Sequence, residues 1–328
     1  MLKASRASNC WPRGISCNGG FGILGTPLGF GEARDAGLLF LPHADARIPR
    51  RGSRVLATPI CAAAIGTGPR GLDALTLGYD RPIRLGRMDL RLVPAGLGPG
   101  SAMLEVSFKE HRILYCGGLR TARPLASPSV ENLSCDLLLI DVPASEPKPP
   151  SPQRTADRLF AWIASALART ELAVIACGSM AAAQDVLWVL REGGFDVRAH
   201  RPVFEASRRL AAQGLAMPQL HRLEQSLPVS GVVLYMADAW QCLPLAQTIS
   251  MSSVAFVGPG RQTPPWSSAS FRLGETEDRA GLLTFIQSTG AKQVALGPAA
   301  DPSLCDCLSH RGIEVFRVSR PKQMPLPL

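Results

Sequence analysis

The sequence predicts an α/β protein, and three observations carry that expectation. Short apolar runs bounded by glycine, proline or aspartate recur through the first 145 residues with few helical patterns between them. After a proline-rich break at Ser145–Ser151, strand-like and helix-like segments alternate, which implies a largely parallel sheet. A last unit from Phe271 repeats helix, strand, helix, strand.

Residues 1 to about 35 are glycine-rich and weakly patterned, consistent with short strands joined by turns. Leu38–Leu41 reads as a short buried strand, followed by a basic loop from Arg47 to Arg54 and by Val55–Ala57. Asp89–Pro94 alternates apolar and polar residues with the period of a half-buried strand. Met103–Phe108, Ile113–Cys116 and Leu137–Ile140 are further strands, the last closed by Asp141. Beyond the break, Thr155–Arg169 has apolar residues at helical spacing, and Leu172–Ile175 is strand-like. Ala181–Glu192 reads as an amphipathic helix stopped by Gly193-Gly194, with Gln184 and Asp185 on its solvated face. Val232–Tyr235 and Val254–Val257 are buried strands. Then come helix 279–289, strand 293–296, helix 302–310 and strand 313–318. The sequence has no internal repeats.

Composition bounds the functional classes. The chain has 328 residues, 46% hydrophobic and 19% charged, enough for one large domain or two intimate ones. No run reaches the 18 or so apolar residues of a membrane helix, and no apolar export segment follows Lys3 and Arg6, so a cytoplasmic protein without a membrane partner is expected. The nine cysteines are odd in number and scattered, as reduced thiols are; Cys305-Asp306-Cys307 lacks the second half of a zinc site. A net charge of +9 suits a nucleic-acid partner, and equally an arginine-rich composition with no partner. Aromatic content of 6% offers no evident platform for stacking single-stranded bases.

Several strings identify a resemblance. Leu41-Pro42-His43-Ala44-Asp45-Ala46 follows the first buried strand, and Arg51-Gly52-Ser53-Arg54-Val55-Leu56-Ala57-Thr58-Pro59 fixes its register. Pro94-Ala95-Gly96-Leu97-Gly98-Pro99-Gly100-Ser101, Gly117-Gly118, Asp141, Phe271–Asp278 and Val294–Ala299 follow in order. This series resembles the β-CASP group of the metallo-β-lactamase superfamily, nearest to ligase-associated DNA exonucleases, with mRNA 3′-end processing nucleases as cousins. The resemblance runs from about Leu38 to Val318. It implies an αββα sandwich from residues 1–145 and 270–328, with residues 146–269 inserted as a β-CASP domain.

Enzymes of that group use two zinc ions, which activate a water and clamp the oxygens of a phosphodiester. The resemblance places their ligands at H-x-H-x-D-H, at the histidine of P-A-G-H-x-x-G-S, at the aspartate of G-D and at the histidine of V-T-H-G. Here Leu41, Ala46, Leu97, Gly118 and Pro298 stand at five of these positions, while His43 and Asp45 survive. Thr276 stands at the histidine position of the S-D-H-A-D-like string, and Asp141 keeps the family's acidic strand end. A zinc held by one protein ligand is not a site, so no metal cofactor and no catalytic residue is expected beyond the remnants His43, Asp45 and Asp141. The resemblance therefore implies a catalytically degenerate homologue. Its role would be to contact DNA or RNA, or to partner an active paralogue, a ligase or a helicase. An active phosphodiesterase with a rearranged metal site is the alternative. Arg47, Arg50, Arg51 and Arg54 would lie by the cleft mouth as phosphate contacts or as a solvated loop, and Arg198 and Arg201, with Arg208 and Arg209, form a second basic cluster. His200, in a basic turn, reads equally as structural or substrate-facing.

Overall fold

A computed structural model describes residues 14–33, 36–47, 53–66, 73–144, 148–170, 172–224, 230–238, 253–258 and 263–318. It is a mixed α/β structure with three sheets.

The first sheet holds β1 (Ile15–Cys17), β2 (Gly20–Ile23), β3 (Leu28–Gly31), β4 (Leu38–Phe40), β5 (Arg54–Ala57) and β6 (Asp73–Thr76), side by side in chain order. The first three strands are antiparallel and the rest run parallel from β3 onward. Between β5 and β6 lies helix α1 (Pro59–Ile65). Thr58 caps it by accepting the Cys61 N–H, and Pro59 starts it with a ring already at a helical φ.

The second sheet begins with the antiparallel strands β7 (Ile83–Leu85), β8 (Met88–Pro94), β9 (Ala102–Phe108) and β10 (His111–Cys116). It then turns parallel through β11 (Leu137–Ile140). After β11 the chain leaves this sheet for helix α2 (Pro152–Thr170), β12 (Leu172–Cys177), helix α3 (Met180–Glu192), β13 (Val197–Ala199), helix α4 (Arg201–Ala212), β14 (Leu220–Arg222), β15 (Gly231–Met236), β16 (Val254–Val257) and β17 (Ala269–Phe271). These six strands form the third sheet, wholly parallel, in the order β14-β13-β15-β12-β16-β17. The chain then returns through helix α5 (Arg279–Ser288), β18 (Gln293–Leu296), helix α6 (Leu304–Ser309) and β19 (Glu314–Arg317), and β18 and β19 complete the second sheet beside β11.

Strand alternation sorts the core into layers. Phe21, Phe30, Phe40 and Leu56 of the first sheet pack against Leu90, Leu104, Tyr115, Leu139 and Ala295 of the second. The neighbours of those residues, Leu138, Ile140, Val294 and Leu296, point the other way and meet Leu282, Phe285, Leu304 and Leu308 of α5 and α6. On the far face of the first sheet, Leu39, Val55 and Ala57 pack on Cys61 and Ala62 of α1. Helix, sheet, sheet and helix thus stack in four layers. The third sheet has its own core, in which Ile175, Val197, Leu234 and Val257 meet α2 and α3.

The strands expected from sequence are present to within two residues at their ends. Helices α1 and α4 are additions, and the second helix of the last unit is shorter than expected, Leu304–Ser309. The expected solvated face of α3 is a correction. Gln184 and Asp185 are 5% and 1% exposed, because α3 is covered by the third sheet on one side and by loops of the sandwich on the other.

Candidate functional site

The candidate residues collect where loops leave the C-terminal ends of β4, β8, β10, β11 and β18. In parallel sheets ligands are taken up outside those ends. After β4 the chain is held by a bond from the Leu41 N–H to the Leu56 carbonyl and by the Ala102 N–H on the Pro42 carbonyl. That aims His43 inward. Its Nε2 lies 3.2 Å from the Gly117 carbonyl oxygen, and its Nδ1 is buried with no hydrogen-bond partner among the described residues. Burial pushes its pKa down, against the pull of Asp45, so the ring is held neutral.

Ser101 shapes the next loop, its hydroxyl accepting the Leu97 and Gly98 N–H groups at 3.0 and 3.1 Å. Leu97 is thereby turned into the site, where it is 4% exposed. A β-carbon on Gly118 would lie 2.7 Å from His43 Cδ2 and 2.9 Å from Leu97 Cδ2, so these three positions touch. Leu41 instead points to α1, and Ala46 packs in the same cluster. The space left beside His43, Asp45, Leu97, Met180 and Gln184 is about 10 Å³, near the room one water needs.

Asp45 is fully engaged. Its carboxylate oxygens accept the Met180 and Ala181 N–H groups at 2.6 and 2.9 Å, and Ser179 accepts the Ala182 N–H. Three orphan donors of α3 are thus satisfied, and the negative charge sits at the positive end of the helix.

Asp141, at the end of β11, accepts the Ala299 N–H at 2.8 Å. Gly31 and Gly297 close on it so tightly that β-carbons there would fall 2.7 and 2.3 Å from its oxygens. Pro298 is the residue between Gly297 and Ala299, so Asp141 tethers the loop that carries it. Thr276 donates its hydroxyl to the Pro143 carbonyl.

The acidic string around Thr276 is likewise occupied, and this was not legible from sequence. Glu275 pairs with Arg272, Glu277 accepts the Thr121 N–H at 2.7 Å and the Thr121 hydroxyl, and Asp278 caps α5 through the Gly281 N–H. A buried ion pair, Arg120 with Asp185 at 3.0 Å, links the loop after β10 to α3, and Asp185 also accepts the Gly274 N–H. No group of three or more His, Cys, Asp or Glu side chains among the described residues is placed to hold a metal ion.

The arginines separate. Arg47 bridges to Glu32 at 2.6 Å, and Arg54 to Asp73 at 2.9 Å, all four well exposed. Arg54 opens β5, at the end of the first sheet opposite His43, which corrects its expected place at the cleft mouth. Arg50 and Arg51 lie outside the described residues. Arg198 lies within β13 and Arg201 opens α4 with its side chain exposed. Arg209 is used internally, donating to the Ala63 and Ala64 carbonyls at the end of α1. His200 stacks on Tyr235 with ring centres 4.1 Å apart, a structural place.

The fold and this loop cluster define a layered α/β protein with its candidate site at the sheet ends. No protein-family model matches the chain. A probable DNA ligase of Opitutus terrae (strain DSM 11246 / JCM 15787 / PB90-1) is 23% identical to it over 249 residues, 72% of this chain and 24% of that protein. The chain therefore spans about a quarter of that relative's length. A solved structure, a protein of unknown function from Enterococcus faecalis V583, is similar with a TM-score of 0.56 at 11% identity, over 89% of this chain and 81% of that one. At that identity the likeness shows shared fold alone. No helix among the described residues is long and apolar enough to cross a membrane.

Proposed function

We propose that the chain is a catalytically degenerate relative of β-CASP nucleases, with residues 146–269 inserted in a metallo-β-lactamase sandwich, and that it serves DNA processing by binding rather than by hydrolysis. One observation carries this reading: Leu97 and Gly118 stand against His43 where two zinc ligands would be needed, leaving about 10 Å³. Asp45, one remaining acidic candidate, accepts two backbone N–H groups of α3, and Asp141, the other, accepts the Ala299 N–H. Two zinc ions need several convergent imidazole and carboxylate donors, which these residues do not supply. The likeness to a probable DNA ligase supports DNA over RNA as the polymer, and a ligase as the kind of protein with which this one acts. The net charge of +9 favours a polyanion.

Elemental analysis of the purified full chain tests the reading. Well under one zinc per chain is expected. Two bound metals, with hydrolysis of a DNA strand that stops on chelation, would establish the rearranged-site phosphodiesterase instead.

A further inference from the structure

Away from the filled crevice, a cavity of about 170 Å³ lies between the first half of α2 and the end of β17. Thr155 and Arg158 line it from α2, and Thr263, Ser270, Phe271 and Arg272 from the other side. Every polar side chain among these carries a hydroxyl or a guanidinium, and among the described residues no carboxylate lines the space.

The two arginines differ. Arg272 places Nε at 2.8 Å and Nη2 at 2.6 Å from the Glu275 carboxylate, and its Nη1 donates to the Lys148 carbonyl, so its charge is balanced. Arg158 has no carboxylate partner among the described residues. Its guanidinium carbon lies 6.0 Å from the centre of the Phe271 ring, and Phe271 is wedged in turn against Trp162, one turn further along α2. The ring therefore favours one placement of the exposed Arg158 cation without neutralising it. The Thr155 hydroxyl is committed to the Ser151 carbonyl, which leaves the hydroxyls of Thr263 and Ser270 beside Arg158 as donors.

We propose that this pocket binds a phosphate-class oxyanion. A guanidinium presents paired N–H groups that match two oxygens of a tetrahedral anion, and hydroxyl donors suit a third. Phe271 is 6% exposed, so no base can stack on it. The pocket would grip a phosphate without reading sequence. Free phosphate and a phosphodiester share this chemistry. The inference rests on the pocket alone, and the oligonucleotide arm of its test also bears on the proposed function.

The test compares the full chain with Arg158→Ala, Arg158→Lys and a charge-matched control, Arg154→Ala, exposed one turn earlier on α2 and outside the pocket. One arm follows the ³¹P signal of inorganic phosphate; the other measures anisotropy of a labelled single-stranded DNA at several salt concentrations. Arg158→Ala should weaken phosphate binding about tenfold, as loss of a charge-assisted hydrogen bond does, with Arg158→Lys between it and wild type. For DNA the salt slope should flatten by about one unit in Arg158→Ala and less in Arg154→Ala. Equal losses in Arg158→Ala and Arg154→Ala, or no loss in either, overturn the pocket. If wild type takes phosphate through Arg158 but binds no DNA, the pocket stands and the nucleic-acid reading falls. DNA binding untouched by Arg158→Ala, with no phosphate signal, has the opposite meaning.

Discussion

A β-carbon at position 118 would meet His43 and Leu97 inside 3 Å, and neither neighbour is a free chain end in open space. Gly118→Ala should therefore destabilise the fold by about 1–3 kcal/mol through overpacking, measured by urea denaturation. Adding Leu97→Ala should relieve part of that cost; strictly additive losses would show that the two positions do not touch. His200 offers a separate residue-scale test. Burial lowers its pKa from 6.5, so the folded chain favours the neutral ring while the unfolded chain protonates near 6.5. Its stabilising contribution is present above that value and is lost as pH falls through the lower folded value. His200→Phe keeps the stack on Tyr235 and should flatten the pH dependence of Tm below pH 6.5 relative to wild type. An unchanged profile would assign that dependence to His43, which shifts in the same direction. The identity of Leu97 and Gly118 could be read beside the glycines and prolines around them, but not that they touch. The partner of Asp45 lies 135 residues further along the chain, beyond any local pattern.

Helix α3 shows where an element can be found from sequence and its environment still misjudged. Its length and Gly193 stop were legible from apolar spacing and glycine chemistry. Its polar residues suggested a face in water, because amphipathic patterning assumes one buried side, whereas α3 is buried on two. Asp185 is compatible with that burial through Arg120, whose charge opposes the upward push of desolvation on the Asp185 pKa. Arg120→Met leaves a buried carboxylate with the Gly274 N–H but no cation and should cost about 3–5 kcal/mol in chemical denaturation. The double variant Arg120→Met with Asp185→Leu should recover most of it; a double variant as unstable as the single would mean that packing, not charge, matters there. Helices α1 and α4 did carry signals in the sequence, Thr58-Pro59 for one and Val203, Ala206 and Leu210 at helical spacing for the other. Their basic and proline-rich surroundings read more readily as loop.

At the scale of the molecule, the parallel third sheet followed from the alternation of strands and helices, while the pairing of strands far apart in sequence did not. Strand β11 lies between β10 and β18, residues separated by the whole third sheet. Leu138 and Ile140 are covered by Val294, Leu296 and α5, so residues 1–145 lack much of their own core. A fragment ending at residue 145 is expected to expose that face and aggregate, seen by light scattering and loss of dispersed amide signals. Co-expression with residues 270–328 should restore a soluble complex. A monomeric, cooperatively folded 1–145 fragment would show that β18 and β19 are dispensable. The docking of Arg209 on the end of α1 and of Asp45 on the start of α3 ties the third sheet to the sandwich at two separate points.

The two bonds from Asp45 to α3 also bear on what mutation can reach. A carboxylate that accepts two helix N–H groups has its orientation set by them, so turning it toward an ion would weaken the α3 cap. Under the proposed reading, nothing is gained in return until Leu41, Ala46, Leu97, Gly118 and Pro298 have also changed. Each intermediate loses stability before any metal affinity repays it. Selection of single-site variants for zinc retention should return no winners.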